Sequence, residues 1–353
     1  MTQQESHGTT QDGQEISLFT LRNANGLQVQ ISEFGALLTS CQVPDKNGRL
    51  AEITHGHDTL AGWESDPAFF GATIGRFANR LAEGRFTLDG KTHQLALNDQ
   101  PGGRPCSLHG GPGGFHKQCW HGELSSTPGQ AGVTLTRISP DGEEGFPGRL
   151  DLRVSYLLND ENELTFTAEA VSNAPTPINL TNHTYWNLSG DPGSAITDHE
   201  LRLDASHYLP TDAGLIPTGE IAPVAGTPLD FTRSTRIGER IDAPFSALEL
   251  AGGYDHAWIL PEGSGTRLAA RVHHPASGRL MEVLSNQAAI QFYAGNFLGS
   301  VRGRGGLTYP HRSAFCLEPE AYPDAPNHPH FPSAILRPGE TYRHETIFRF
   351  GLA

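Results

Sequence analysis

The feature that most constrains this chain is a repeat of two. Apolar residues alternate with others in short runs, as in Leu27-Val29-Ile31, Leu164-Phe166-Ala168 and Leu280-Glu282-Leu284. Each run sends one side of an extended segment to a core. Further extended segments are predicted over 150–158, 200–205, 268–273, 289–293 and 342–350. Turn signals fall between them, among them Asp45-Lys46-Asn47-Gly48, Asp89-Gly90 and Pro140-Asp141-Gly142. With 41 glycines and 25 prolines the chain is poorly suited to long helices. One short helical piece is predicted around Ser234–Ile241. Many short strands at fairly even spacing imply an all-β fold, a sandwich or a barrel.

A length of 353 residues fits one large β domain or two ordinary ones. No linker or composition break interrupts the strand signals, so the expected organisation is a flexible N-terminal segment, residues 1–14, and a single domain over 15–353. No apolar run approaches the ~18 residues of a membrane span. The stretch Met1–Gly13 is polar and lacks the basic-then-apolar layout of a secretory signal. Four scattered cysteines (Cys41, Cys106, Cys119, Cys316) read as thiols of a reducing cytoplasm. Lys and Arg total 25 against 39 Asp and Glu, a formal charge of −14. That balance argues against nucleic acid and against an anionic partner, and it favours a neutral small molecule.

Chemistry is carried by a few polar clusters. In Phe315-Cys316-Leu317-Glu318-Pro319-Glu320 an apolar run gives way to carboxylates, and the prolines are expected to end the strand there. Glu318 is then either a solvated strand terminus or a base on a rigid mount. Gly75-Arg76-Phe77-Ala78-Asn79-Arg80 offers guanidinium donors. Ser107-Leu108-His109-Gly110-Gly111 opens a glycine-rich loop without the spacing or lysine of a phosphate loop. Asn179 to Leu188 is dense in amides and aromatics, a mixture suited to a sugar's apolar faces and hydroxyl rim. Gly253-Tyr254-Asp255-His256 is the fifth such cluster. The histidine pairs His55/His57, His273/His274 and His328/His330 lack metal-site spacing, and no metal is expected.

Taken in order, these clusters resemble the aldose 1-epimerase (galactose mutarotase) family. The likeness rests on 74–80, 107–111, 179–185, Tyr254-Asp255-His256, Gln291 to Phe297 and the Pro323-Asp324 to His328 tail. It extends to 208–220 and to Leu336-Arg337-Pro338-Gly339-Glu340, and so covers nearly the whole chain. The resemblance implies a large antiparallel β-sandwich (a galactose mutarotase-like supersandwich) with few short helices and an open sugar cleft on one sheet. It implies interconversion of the α and β anomers of free hexoses such as D-galactose and D-glucose. By the same resemblance Glu318 stands at the position of the general base, His183 at that of the acid and His109 at that of a second active-site histidine. Asn79, Arg80, Asp255 and Gln291 fall where the sugar hydroxyls are held. No cofactor is implied, and both a monomer and a homodimer are compatible with the sequence.

The residue types suit that reaction. A base takes the proton from the C1 hydroxyl, an acid protonates the ring oxygen, and the opened chain recloses on the other face. At neutral pH the histidine is expected to stay partly protonated, with Asp255 as the carboxylate that favours imidazolium. Two positions depart from the family's usual residues. Glu320 stands where glutamine is common, on the same face as Glu318 if the strand continues. Trp186 stands where phenylalanine is common and is expected to enlarge an aromatic sugar platform. Three other readings are open: a glycoside hydrolase using Asp255 with Glu318, a sugar-binding module without activity, and a hexose-6-phosphate epimerase using Arg76, Arg80, Arg302 and Arg304.

Overall fold

A computed structural model describes residues 1–353. Its largest sheet has nine antiparallel strands, in the order His121–Thr127, Gln130–Ser139, Leu150–Asn159, Glu163–Ser172, Tyr342–Leu352, Arg279–Ser285, Arg267–His274, Glu200–Leu203 and Thr235–Arg236. A six-stranded antiparallel sheet runs Tyr185–Trp186, Phe315–Glu320, Ala289–Tyr293, Asp255–Ile259, His207–Tyr208 and Ala222–Pro223. A five-stranded antiparallel sheet holds the N-terminal strands from Thr2–Thr9 to Leu50–Glu52. The only α-helices are the short Leu60–Glu64 and Ser246–Ala251. This is the expected all-β sandwich with few short helices.

Alternation explains how the sheets share one core. Val154, Tyr156, Phe166, Met281, Val283 and Phe348 of the large sheet join Trp258, Ile290, Phe292, Phe315 and Leu317 of the six-stranded sheet in one buried cluster. Full burial of each such side chain stabilises by roughly 1.5–3 kcal/mol. The intervening residues Asp255, Gln291, Tyr293, Cys316 and Glu318 therefore point to the other face of the six-stranded sheet. The cleft lies there.

Four local expectations need correction. In Arg279–Ser285 the fully buried apolar side is Met281 and Val283, whereas Leu280, Glu282 and Leu284 are only half-buried. Both sides carry large apolar groups, so alternation alone does not choose the phase; Glu282 faces Arg349 outside, at 3.2 Å. The piece around 234–241 is a two-residue strand followed by the single 3-10 turn Ile237–Glu239. Residues 1–14 contain the strand Thr2–Thr9, paired with Glu15–Arg22, because even a polar segment gains a full ladder of backbone hydrogen bonds at a sheet edge. Trp186 is fully buried against Phe348 and Phe350 and forms no part of a sugar platform.

Candidate active site

The strand carrying Glu318 does not end at its carboxylates. It continues through Pro319 to Glu320, and both acids are buried, at 3% and 1% exposure. The reading of solvated terminal acids is thereby excluded. Register then assembles the neighbours: Gln291 lies directly across from Glu318 and Ala257 across from Gln291. Two residues along, Asp255 accepts a 2.6 Å hydrogen bond from Gln291 Nε2.

The histidines arrive on separate elements. His183 ends the strand Thr181–His183, paired with Ala72–Ile74. Its ring lies between two aromatic faces, Tyr185 at 5.1 Å and Phe69 at 6.0 Å, both near parallel. Its two nitrogens meet different partners: Nδ1 lies 3.5 Å from Cys316 Sγ, and Nε2 lies 3.6 Å from Glu318 Oε2. His109 follows the strand Cys106–Leu108, which pairs with Arg80–Ala82. Its Nδ1 accepts a hydrogen bond from the Asn79 backbone N–H at 3.1 Å, so a neutral ring carries its proton on Nε2. Arg80 is held by Asp99 at 3.1 Å.

Gly110 shows why that loop is glycine-rich. Its φ is +82°, and a methyl built on it would collide with the Gly75 carbonyl oxygen. Gly110→Ala is expected to cost roughly 1–3 kcal/mol of stability and to displace His109. Denaturant unfolding and kcat/KM check this; wild-type values for both would refute it.

Together these side chains line one cleft of about 540 Å³. Every sequence-predicted site residue lines it: Glu318, His183, His109, Asn79, Arg80, Asp255 and Gln291. Asn79 is partly committed elsewhere, since its amide nitrogen donates to Glu320 at 3.0 Å. Sequence reading missed Phe69, Tyr185, Tyr293 and Phe297 in the wall, and Asp99 beside Arg80. Cys316 was legible, because two residues before Glu318 in a strand means the same face. Phe69 was not, because it depends on a positive φ of 62° in a loop remote in sequence.

Burial dominates the electrostatics. It drives His183 down to about 4 and pushes Glu318 well above the usual carboxylate range, with the Glu320 and Asp255 charges adding to the second effect. His109 is likewise pushed well down, first by burial and then by His183 and Arg80. The expectation that Asp255 holds His183 partly protonated is corrected: desolvation outweighs the nearby carboxylates, and Asp255 acts on Glu318 instead. Donor atoms of His183, Cys316 and Glu318 lie within 4.8 Å of one another. Cys316 and Glu318 nevertheless meet opposite nitrogens of the ring, which suits proton transfer better than a shared ion. In Asp198–His199–His274 every imidazole nitrogen is already occupied by a hydrogen-bond partner.

Comparison with known proteins agrees with this geometry. The family model described as aldose 1-epimerase matches residues 17–349. Human galactose mutarotase is 45% identical over 328 residues, covering 93% of this chain and 92% of that one. The aldose 1-epimerase of Escherichia coli K12 is 39% identical over 342 residues, 96% of both chains. The crystal structure of galactose 1-epimerase from Lactobacillus acidophilus NCFM superposes with a TM-score of 0.87 at 29% identity, covering 100% of this chain and 99% of that one. With the family model matched along almost its full length, and relatives 39–45% identical over nearly the whole chain, this chain belongs to the aldose 1-epimerase family.

Proposed function

We propose that this chain interconverts the α and β anomers of free hexoses such as D-galactose and D-glucose, with Glu318 as base and His183 as acid. One observation carries the assignment of roles: Glu318 Oε2 and His183 Nε2 stand 3.6 Å apart at the floor of the cleft. The hydroxyl oxygen to be deprotonated and the ring oxygen to be protonated are bonded to the same carbon, C1. The base and the acid must therefore stand side by side, too far apart to satisfy each other and close enough to reach both oxygens.

In ring opening Glu318 takes the C1 hydroxyl proton as the C1–ring-oxygen bond breaks, and His183 Nε2 delivers a proton to the ring oxygen. The aldehyde forms, rotates about C1–C2, and the two transfers run backwards on its other face. Protons and electrons balance within the cleft. The charged pair, Glu318 carboxylate and His183 imidazolium, becomes a neutral pair at the open-chain stage. Burial favours that neutral pair, since it raises the carboxyl and lowers the imidazole. The base is thus strong and the acid is strong, although the charged starting form is the less populated one in the empty cleft. His109, Arg80, Asp255, Gln291 and Asn79 supply donors and acceptors around the sugar.

The phosphosugar reading loses most of its arginines. Arg76 is spent on the Pro147 and Gly148 carbonyls and on Ser139, and Arg304 on the Thr54 and Thr39 carbonyls. Of the arginines considered, only Arg80 lines the cleft. A cytoplasmic location is part of the proposal, supported by free thiols at Cys41, Cys106, Cys119 and Cys316. No helix is long and apolar enough to cross a membrane.

The test is polarimetry on freshly dissolved α-D-galactose and α-D-glucose. Relaxation to the anomeric equilibrium is expected to run well above the uncatalysed rate with at least one of them. A relaxation equal to buffer alone for both sugars would overturn the proposal.

A further inference from the structure

Glu320 is a buried carboxylate that the reaction as written does not use. It lies two residues beyond Glu318 on the same strand face, beneath the cleft floor. Asn79 Nδ2 donates to its Oε1 at 3.0 Å and Asn179 Nδ2 to its Oε2 at 3.4 Å. Neither amide is free to flip. Asn79 Oδ1 accepts from the Arg80 N–H, and Asn179 Oδ1 from the Ala321 N–H, both at 2.8 Å. Donors thus face both oxygens of Glu320 and favour its ionised, acceptor-only form, against a burial that still raises it to about 8. Glu318 accepts no side-chain amide hydrogen bond of this kind, and His183 Nε2 stands 3.6 Å from its Oε2.

We propose that Glu320 is a positioning residue acting through Glu318: clamped by the Asn79 and Asn179 donors, it is the first of the two carboxyls to ionise, and its charge behind the base then makes the base hold its proton more tightly. The inference rests on Glu318 being the base. Other groups around the pair have been weighed. Asp255 adds negative charge to both carboxyls and Arg80 offsets part of it. The Cys316 thiol is driven far up by burial and stays neutral, and in the empty cleft burial keeps His183 mostly neutral as well. The Tyr342 hydroxyl accepts from the Leu180 N–H and is also kept protonated by burial. Among the groups facing the pair, Glu320 is the strongest charge raising Glu318 after burial itself. The same clamp joins the Arg80 turn to the strand that leads to His183, so the charge is held by the elements that carry the other site residues.

The direction of the effect follows. The working pair, Glu318 carboxylate with His183 imidazolium, holds one proton and stops working when that proton is lost, so a neighbouring charge that raises the proton affinity of Glu318 moves the alkaline limb of the rate profile to higher pH. Two charges about 6–7 Å apart at an effective dielectric near 20 shift each other by about 2 pH units. The experiment compares the pH dependence of kcat/KM for anomer exchange in wild type, Glu320→Gln and Glu320→Asp. Glu320→Gln is expected to move the alkaline limb down by at least ~1 pH unit. Glu320→Asp keeps the charge and should keep the limb near its wild-type position. An alkaline limb that stays in place in Glu320→Gln, with only a lower melting temperature or a uniformly lower rate, would overturn the inference.

Glutamine sets an N–H against one of the fixed amides, so that variant also loses stability. If it fails to fold, infrared titration of glutamate-labelled wild type and Glu318→Gln decides the matter. Glu320 ionises first, so removing Glu318 must leave the lower of the pair's two carboxyl steps in place and abolish only the higher one. A lower step that vanishes instead sinks the inference. Wild type without any mutarotase activity would defeat the proposed function instead, and the infrared titration would still judge the coupling by itself.

Discussion

Glu318→Gln is expected to lower kcat for anomer exchange by ~10²–10⁴-fold, the usual contribution of a positioned proton-transfer group. Glutamine keeps the size and the carbonyl of the side chain, so KM should change by less than tenfold. The structural reason is that nothing else in the cleft replaces it. The neighbouring carboxylates are committed elsewhere, Asp255 to Gln291 at 2.6 Å, Asp99 to Arg80 at 3.1 Å and Glu320 to Asn79 at 3.0 Å, and none of them is the group beside His183. Polarimetry of the variant provides the test, and retention of more than about a tenth of wild-type kcat would remove Glu318 from the role of base.

The same variant should not be less stable, and the sign can be worked out. Burial raises the folded-state pKa of Glu318 above its unfolded value near ~4.3. The folded protein therefore holds more protons than the unfolded chain at pH values between the two, and stability falls as pH rises through that window. Glutamine removes this term. The melting temperature of Glu318→Gln should equal that of wild type near pH 4 and exceed it increasingly toward pH 8. A variant less stable than wild type at pH 8 would contradict the burial cost assigned to this carboxyl.

Acid should unfold this protein steeply between about pH 6 and pH 4. Outside the catalytic pair, His55, His116, His256 and His344 are all buried, and burial drives them to about 3, 3, 4 and 4. Each is lowered below its unfolded value near ~6.5, so the unfolded chain binds more protons as pH falls through 6.5, and stability is lost until the folded value is reached. One such histidine contributes on the order of 3 kcal/mol across the full window. Glu318, Glu320, Asp255 and Asp324 work in the opposite direction, because their raised carboxyls stabilise the fold on acidification. These four carboxyls oppose the four structural histidines, with His183, His109 and His7 adding to the latter. The histidines outnumber the carboxyls, so the net effect of acidification over this range is a loss of stability. Urea unfolding at a series of pH values checks this. A midpoint unchanged from pH 7 to pH 4.5 would show that these imidazoles are solvated or already charged in the fold.

The interplay of the two predictions has a practical consequence for assays. Activity needs the one-proton pair of Glu318 carboxylate and His183 imidazolium and is expected to fall at alkaline pH as that proton is lost, while the histidines make the acid side of the range structurally unsafe. Loss of rate below pH 6 must therefore be separated from unfolding, by recovering activity after a brief acid exposure.

Much of the fold and site was legible in the linear chain. Period-two runs such as Leu164-Phe166-Ala168, punctuated by turn residues, specify strands with one buried face, and that face is buried here. The polar clusters identified the lining of the cleft, because amides, arginines and histidines packed among aromatics have no ordinary place in a plain sheet. These are local properties, set by the direction in which successive Cβ atoms point and by what each side chain can bond.

What tertiary structure decided is everything that depends on who arrives from elsewhere. Leu280 and Met281 are both apolar, and only the opposing sheet selected Met281 for the core. Glu318 and Glu320 look like the end of a strand until Pro319 is seen paired opposite Ile290, with both acids buried behind it. His183 was expected to lean on Asp255, yet it lies between Phe69 and Tyr185 with Cys316 at one nitrogen and Glu318 at the other. Sequence carries composition and period, which determine the kind of element and the chemistry available to it. Register, desolvation and the identity of a distant neighbour are set only when separate strands pack. Those quantities assign the proton to a carboxyl or to an imidazole.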